Sequence, residues 1–167
     1  MAEYKVVVVG DGKVGKTSFV QVHRLGACDT WYTPTMGAEV HPIVFKTTRG
    51  PVTLKMWDTA GQAKLAGLVE GYYVGADAAI LMYSTDSQDS YNRLTRYDEL
   101  LTRVVGNVPR VVVGGKSDLP PQNINLTLPY PHCTISNYGG DVGDPIDLLL
   151  QALSGATLLC EPESASN

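Results

Sequence analysis

Gly10-Asp11-Gly12-Lys13-Val14-Gly15-Lys16-Thr17 follows directly on the apolar run Tyr4 to Val9. The spacing G-x-x-x-x-G-K-[ST] lets backbone N–H groups curl around two successive phosphates, sets a lysine against the terminal oxygens and offers a hydroxyl to Mg²⁺. A strand must lead into such a loop and a helix must leave it. Val6 to Val9 is β-branched, as a buried parallel strand requires, and Thr17 to Arg24 can continue as a helix whose N-terminus faces the anion. With both flanks in place, a chance glycine turn is the weaker explanation. Asp11, Gly12, Lys13, Val14, Gly15, Lys16, Thr17 and Ser18 are therefore expected to form a phosphate-binding loop, with the Lys13 side chain in solvent.

Working outward, strand and helix alternate. Val40 to Thr47 is expected as a strand near a sheet edge, because Pro42 is tolerated only there. Val52 to Asp58, Asp77 to Tyr83 and Arg110 to Gly114 follow as strands. The stretch carrying Gly61, Gly67, Gly71 and Gly75 is expected to be mobile. Tyr91, Leu94, Tyr97, Leu101 and Val104 recur at helical spacing. Asp144 is a suitable N-cap for a last helix from Pro145 to a stop at Gly155. Pro120, Pro121, Pro129 and Pro131 make residues 119–131 an extended loop. The fold class is α/β: an open, mostly parallel sheet with helices on both faces, and ligands at the carboxyl ends of its strands.

Composition sets the outer bounds. The chain of 167 residues fits one domain, and 17 acids against 13 bases give no general nucleic-acid surface. Cys28, Cys133 and Cys160 have no metal spacing and no signal peptide before them, which points to a reducing compartment. His23, His41 and His132 are too scattered for a metal site. No apolar stretch approaches the roughly 20 residues that span a bilayer, and the end Glu161 to Asn167 carries no prenylation cysteine. A soluble, unanchored monomer is expected.

Two further clusters suit phosphoryl chemistry. Trp57-Asp58-Thr59-Ala60-Gly61-Gln62 closes the third strand. Asp58 can hold Mg²⁺ through water, the Gly61 N–H can meet a γ-phosphate, and Gln62 can orient an attacking water. Asp58 alone would be read as a turn acid, and Trp57 as strand packing. Thr35, between first helix and second strand in Tyr32-Thr33-Pro34-Thr35, can bring its hydroxyl to Mg²⁺ and its N–H to the γ-phosphate, so that loss of that phosphate releases the segment. Lys16, Thr35 and Gln62 are the candidate catalytic residues, and Thr17, Thr35 and Asp58 the candidate metal ligands. No obvious arginine stands among these motifs.

These motifs resemble those of the Ras superfamily of small GTPases. Within it, Gly37 to Phe45, Thr48 to Pro51, Trp57 to Gln62 and Gly71-Tyr72-Tyr73 are most similar to the Ran subfamily of nuclear transport. The likeness covers about the first 118 residues and weakens sharply beyond. It implies a single P-loop NTPase domain over residues 1–155 with a six-stranded sheet, GTP/GDP and Mg²⁺ as cofactors, and slow GTP hydrolysis; residues 156–167 are expected to form a short, flexible acidic tail, in which the subfamily's own acidic tail is not recognisable. It also implies residence in nucleus and cytoplasm, and partners such as transport receptors or GTPase regulators meeting the two switch segments.

The departures fall on the base side. The family's Asn-Lys-x-Asp stands here as Gly115-Lys116-Ser117-Asp118: Asp118 can still accept two hydrogen bonds from guanine, and Lys116 lines the base pocket with its stem, but Gly115 has no amide. Cys28 occupies the place of the family's stacking aromatic, four residues before Tyr32, and Trp31 could replace it only if the loop is rearranged. The Ser-Ala-Lys segment appears as Ser136-Asn137-Tyr138. A stacking platform is worth about 1–3 kcal/mol and a base hydrogen bond about 0.5–1.5 kcal/mol. The joint loss is roughly 2–4 kcal/mol, or about 30- to 1,000-fold in affinity. A fast-exchanging guanine-nucleotide switch is expected, with Gly115→Asn and Cys28→Phe slowing release. A binding module that keeps the fold but holds nucleotide poorly is the alternative, and ATP use is disfavoured because Asp118 would find no donor on adenine. After Asp118 there is no lysine or arginine but five acids, so binding of importin-β-type receptors is expected to be weak or altered.

Overall fold

The computed structural model describes residues 2–25, 38–59, 66–116, 123–135 and 144–155. Along the chain run β1 (Ala2–Val9), α1 (Lys16–Leu25), β2 (Ala38–Thr47), β3 (Gly50–Thr59), α2 (Ala66–Tyr73), β4 (Ala78–Ser84), α3 (Gln88–Asn92), α4 (Leu94–Val105), β5 (Arg110–Gly115), β6 (His132–Thr134) and α5 (Asp144–Ser154). The strands form one six-stranded sheet in the order β2-β3-β1-β4-β5-β6. Every pairing is parallel except β2 with β3.

The two-residue period of the strands explains the layering. Val6 and Val8 of β1 face one core with Leu54, Met56, Ile80 and Met82, which Phe19 and Val20 of α1 and Ile146, Leu149 and Leu150 of α5 complete. Val7 and Val9 face the opposite core with Leu81, Tyr83 and Val112, covered by Tyr73 of α2, Tyr91 of α3, and Leu94 and Leu101 of α4. All seven residues of β4 are buried, as befits a strand covered on both faces. β2 is the sheet edge, with Pro42 paired to Lys55 in an unbroken ladder.

One expectation is extended and one is corrected. The glycine-bearing stretch contains α2 over Ala66–Tyr73. Tyr73 is fully buried and Tyr72 tilts against Trp57 with ring centroids 6.5 Å apart, so aromatic burial offsets the roughly 1 kcal/mol that a helical glycine costs. The helix over Tyr91 to Val104 is broken at Arg93 into α3 and α4. Ser87 caps the first piece, its side chain accepting from the Ser90 N–H. The described part of the proline-bearing segment, 123–131, has no helix. It is held across α3 by the Tyr91 hydroxyl, which accepts from the N–H groups of Thr127 (2.8 Å) and Leu128 (2.9 Å). At the far end, α5 stops where Gly155 takes a φ of 69° and its N–H bonds to the Gln151 carbonyl. No helix among the described residues is long and apolar enough to cross a membrane.

Candidate functional site

The carboxyl ends of β1, β3 and β5 and the N-terminus of α1 converge on the glycine-rich loop. Gly10 is required where β1 ends: its φ is 146°, and a Cβ there would lie 2.1 Å from the Met82 carbonyl oxygen. Gly15 turns the chain into α1 with a φ of 104°, and the Phe19 N–H bonds the Gly15 carbonyl at 2.8 Å. Lys13 also adopts a left-handed backbone (φ 67°), and it is exposed as expected.

Lys16 is buried. Its ammonium donates to the carbonyls of Gly10 (2.8 Å) and Asp11 (2.5 Å), so the loop bends back over its own lysine. Burial lowers its pKa to about 8, with Asp58 and Asp11 pulling the other way. Beside it the Thr17 hydroxyl donates to Asp58 Oδ2 at 2.5 Å. Asp58 is fully buried at the end of β3, opposite Val8 in the β1 register, and Thr59 fixes that strand end by donating to the Val8 carbonyl at 2.7 Å. A threonine hydroxyl and a carboxylate brought together form the oxygen-only donor set that a hard divalent cation takes. The pair fits Mg²⁺.

On the other side of the loop stands Gly115, at the end of β5. A Cβ added there would lie 2.7 Å from the Val14 carbonyl oxygen and 3.0 Å from Met82 Cε. The phosphate loop therefore occupies the space a side chain at 115 would need. Gly115→Asn cannot rebuild the missing amide without moving that loop, which corrects the expectation that the substitution simply restores the anchor. Lys116 follows with a left-handed φ of 61°. Thr85 ties both residues to the end of β4: its N–H bonds the Gly115 carbonyl and its hydroxyl the Lys116 carbonyl, each at 3.0 Å.

Residues 5–127 match the Ras family. The chain belongs to the Ras family. Members of this family bind guanine nucleotides with Mg²⁺ and hydrolyse GTP, and the loop, Lys16, Thr17 and Asp58 stand together at the strand ends where such a ligand is held.

Of the remaining candidate residues, Tyr32, Thr35, Gly61, Gln62, Asp118, Ser136 and Asn137 lie outside the described residues, as do Cys28 and Trp31. The histidines are dispersed: His23 lies edge-on to Phe19 and Phe45, His41 sits beside Glu39, and the Tyr83 hydroxyl meets His132 Nε2 at 2.6 Å. Sequence reasoning missed two residues. Arg93 and Tyr97, one helical turn apart, both reach the Asp11 carboxylate. Tyr97 was legible only as a core position of its helix, and Arg93 belongs to no motif.

Proposed function

We propose that this Ras-family protein is a Ran-like guanine-nucleotide switch with weakened base recognition and fast exchange. The close approach of the Val14 carbonyl to Gly115 carries the second half of that statement. At this position a family side chain would tie the base loop to the phosphate loop, and here backbone fills the space instead. Together with Cys28 and Ser136-Asn137-Tyr138, this amounts to a base pocket lacking several of its anchors beside a phosphate site that retains all of its own.

In the proposed switch the loop amides cradle the α- and β-phosphates, Lys16 reaches the β/γ oxygens, and Thr17, Thr35 and Asp58 would hold Mg²⁺, which supplies neutralising charge to the phosphate oxygens. Gln62 orients water, and the Gly61 N–H meets the γ-phosphate. Loss of that phosphate releases the segments around Thr35 and Gln62. Nucleocytoplasmic transport, with residence in nucleus and cytoplasm, follows from the likeness of residues 37–45, 48–51, 57–62 and 71–73 to the Ran pattern. Val40 (42% exposed) and Val44 (58% exposed) on the outer face of β2 support a partner surface there. The wholly acidic charge after Asp118 supports a choice of receptors different from that of Ran.

Nucleotide-stripped protein mixed with fluorescent GDP, GTP or ATP in a stopped-flow instrument tests this. Mg²⁺-dependent binding of the guanine nucleotides with rapid release is expected. Release as slow as in an ordinary small GTPase overturns the weakened pocket, and no binding at millimolar nucleotide makes the protein a partner-binding module without a nucleotide cycle.

A further inference from the structure

An acid inside a phosphate-binding loop needs a reason to be tolerated, because its charge has the sign of the ligand. Among the motif side chains, Lys13 and Lys16 are formally cancelled by Asp11 and Asp58. The Asp11 carboxylate, however, is committed elsewhere. One oxygen accepts from the Arg93 Nε–H in an ion pair, and the other accepts from the Tyr97 hydroxyl at 3.2 Å. Only 16% of the Asp11 side chain is exposed. Both partners come from a different layer of the fold. Arg93 is the single residue between α3 and α4, and Tyr97 lies one turn into α4, so the break in that helix is what brings the guanidinium to the loop.

We propose, on the basis of the nucleotide switch above, that Arg93 and Tyr97 are positioning residues for the nucleotide. They neutralise Asp11 and fix its carboxylate against α4, so that the loop keeps a backbone shape and a net positive charge suited to an anionic ligand. Arg93 acts through Asp11 and does not touch the phosphates. Its removal leaves an uncompensated carboxylate within the loop, on the residue whose own backbone carbonyl accepts from Lys16. The opposition is between like charges near a solvent-exposed surface. It is expected to weaken nucleotide binding by about 3- to 10-fold rather than abolish it.

The test measures the dissociation constant and release rate of fluorescent GDP for the wild type, Arg93→Ala, Tyr97→Phe and the double variant Asp11→Asn/Arg93→Ala, with a thermal melt of each. Arg93→Ala should bind about 3- to 10-fold more weakly at low salt. That deficit should shrink between about 0.05 and 0.5 M salt, as screening shortens the reach of the Asp11 charge. The double variant should recover most of the loss, because the offending charge has gone. Tyr97→Phe should lose less than Arg93→Ala. Equal binding by Arg93→Ala and the wild type overturns the proposal. So does a double variant as weak as Arg93→Ala with a salt-independent deficit, which would make Arg93 a packing residue. If the wild type itself fails to bind guanine nucleotide, the switch is refuted and the positioning role with it; normal wild-type binding with no effect of Arg93 refutes the positioning role alone.

Discussion

Gly115→Ala isolates the close approach between base loop and phosphate loop with a single methyl group. Gly115 has no left-handed φ, so alanine meets no backbone penalty; the only obstacle is space. The added carbon would sit 2.7 Å from the Val14 carbonyl oxygen, 3.0 Å from Met82 Cε and 3.6 Å from the Tyr83 carbonyl. Methionine can swing aside, but Val14 is backbone and yields only if the phosphate loop retreats. Overpacking of this kind costs about 1–3 kcal/mol, against about 0.4–1 kcal/mol gained by restricting the unfolded chain. The net loss of about 0.5–2 kcal/mol should lower Tm by roughly 1–8 °C in a chain of this size. Gly71→Ala is the control, since it adds the same methyl group in α2 with nothing within 4 Å, and it should raise stability by about 0.5–1 kcal/mol. Thermal unfolding followed by circular dichroism reads both, and GDP release reads the displacement of the loop. If Gly115→Ala melts as high as Gly71→Ala and releases nucleotide like the wild type, the packing of loop against loop described here is wrong.

Two other perturbations probe regions remote from the phosphate loop. The Arg110 side chain is 1% exposed and donates to Asp98, Thr102, Tyr130 and the Gly106 carbonyl. Asp98→Ala strands that guanidinium and should cost about 3–5 kcal/mol, a melting shift that Asp98→Ala/Arg110→Met largely reverses. Desolvation lowers the pKa of His132 below the usual value, while burial pushes the Tyr83 phenol up to about 12, and its hydroxyl meets the ring at Nε2. A base whose folded pKa is depressed binds fewer protons than the unfolded chain, so stability should fall as pH drops below about 6.5. The fall between pH 7.5 and 5.5, measured as Tm, should be smaller in His132→Gln, and an unchanged profile would remove His132 from the account.

Most of the sheet was legible because its determinants are local. β-Branched runs marked β1 and β5, Pro42 marked an edge, and Asp144 and Gly155 bracketed α5. The phosphate site was legible for the same reason, since its glycines, Lys16 and Thr17 lie within one short stretch and Asp58 ends a recognisable strand. What escaped depends on contacts between distant segments. α2 forms in spite of Gly67 and Gly71 because of what Tyr72 and Tyr73 bury. β6, three residues long, shows no period and is fixed by two flanking bonds, from the Val112 N–H to Pro131 and from the Ile135 N–H to Gly114. The pairing of Asp11 with Arg93 depends on a helix breaking at one residue, and the space beside Gly115 is claimed by a carbonyl a hundred residues earlier in the chain.

Pro42 has a consequence for the life of the folded molecule among its copies. The ladder to β3 runs through Pro42 without a break, which turns the proline nitrogen toward the open side of the sheet. A bare strand edge is a template on which a second chain can grow, and continuous growth needs a donor at every alternate residue. Here the row lacks one proton near its middle. The flank that presents Val40 and Val44 to the surroundings can thus meet a partner through its side chains while offering a poor start for fibrous stacking.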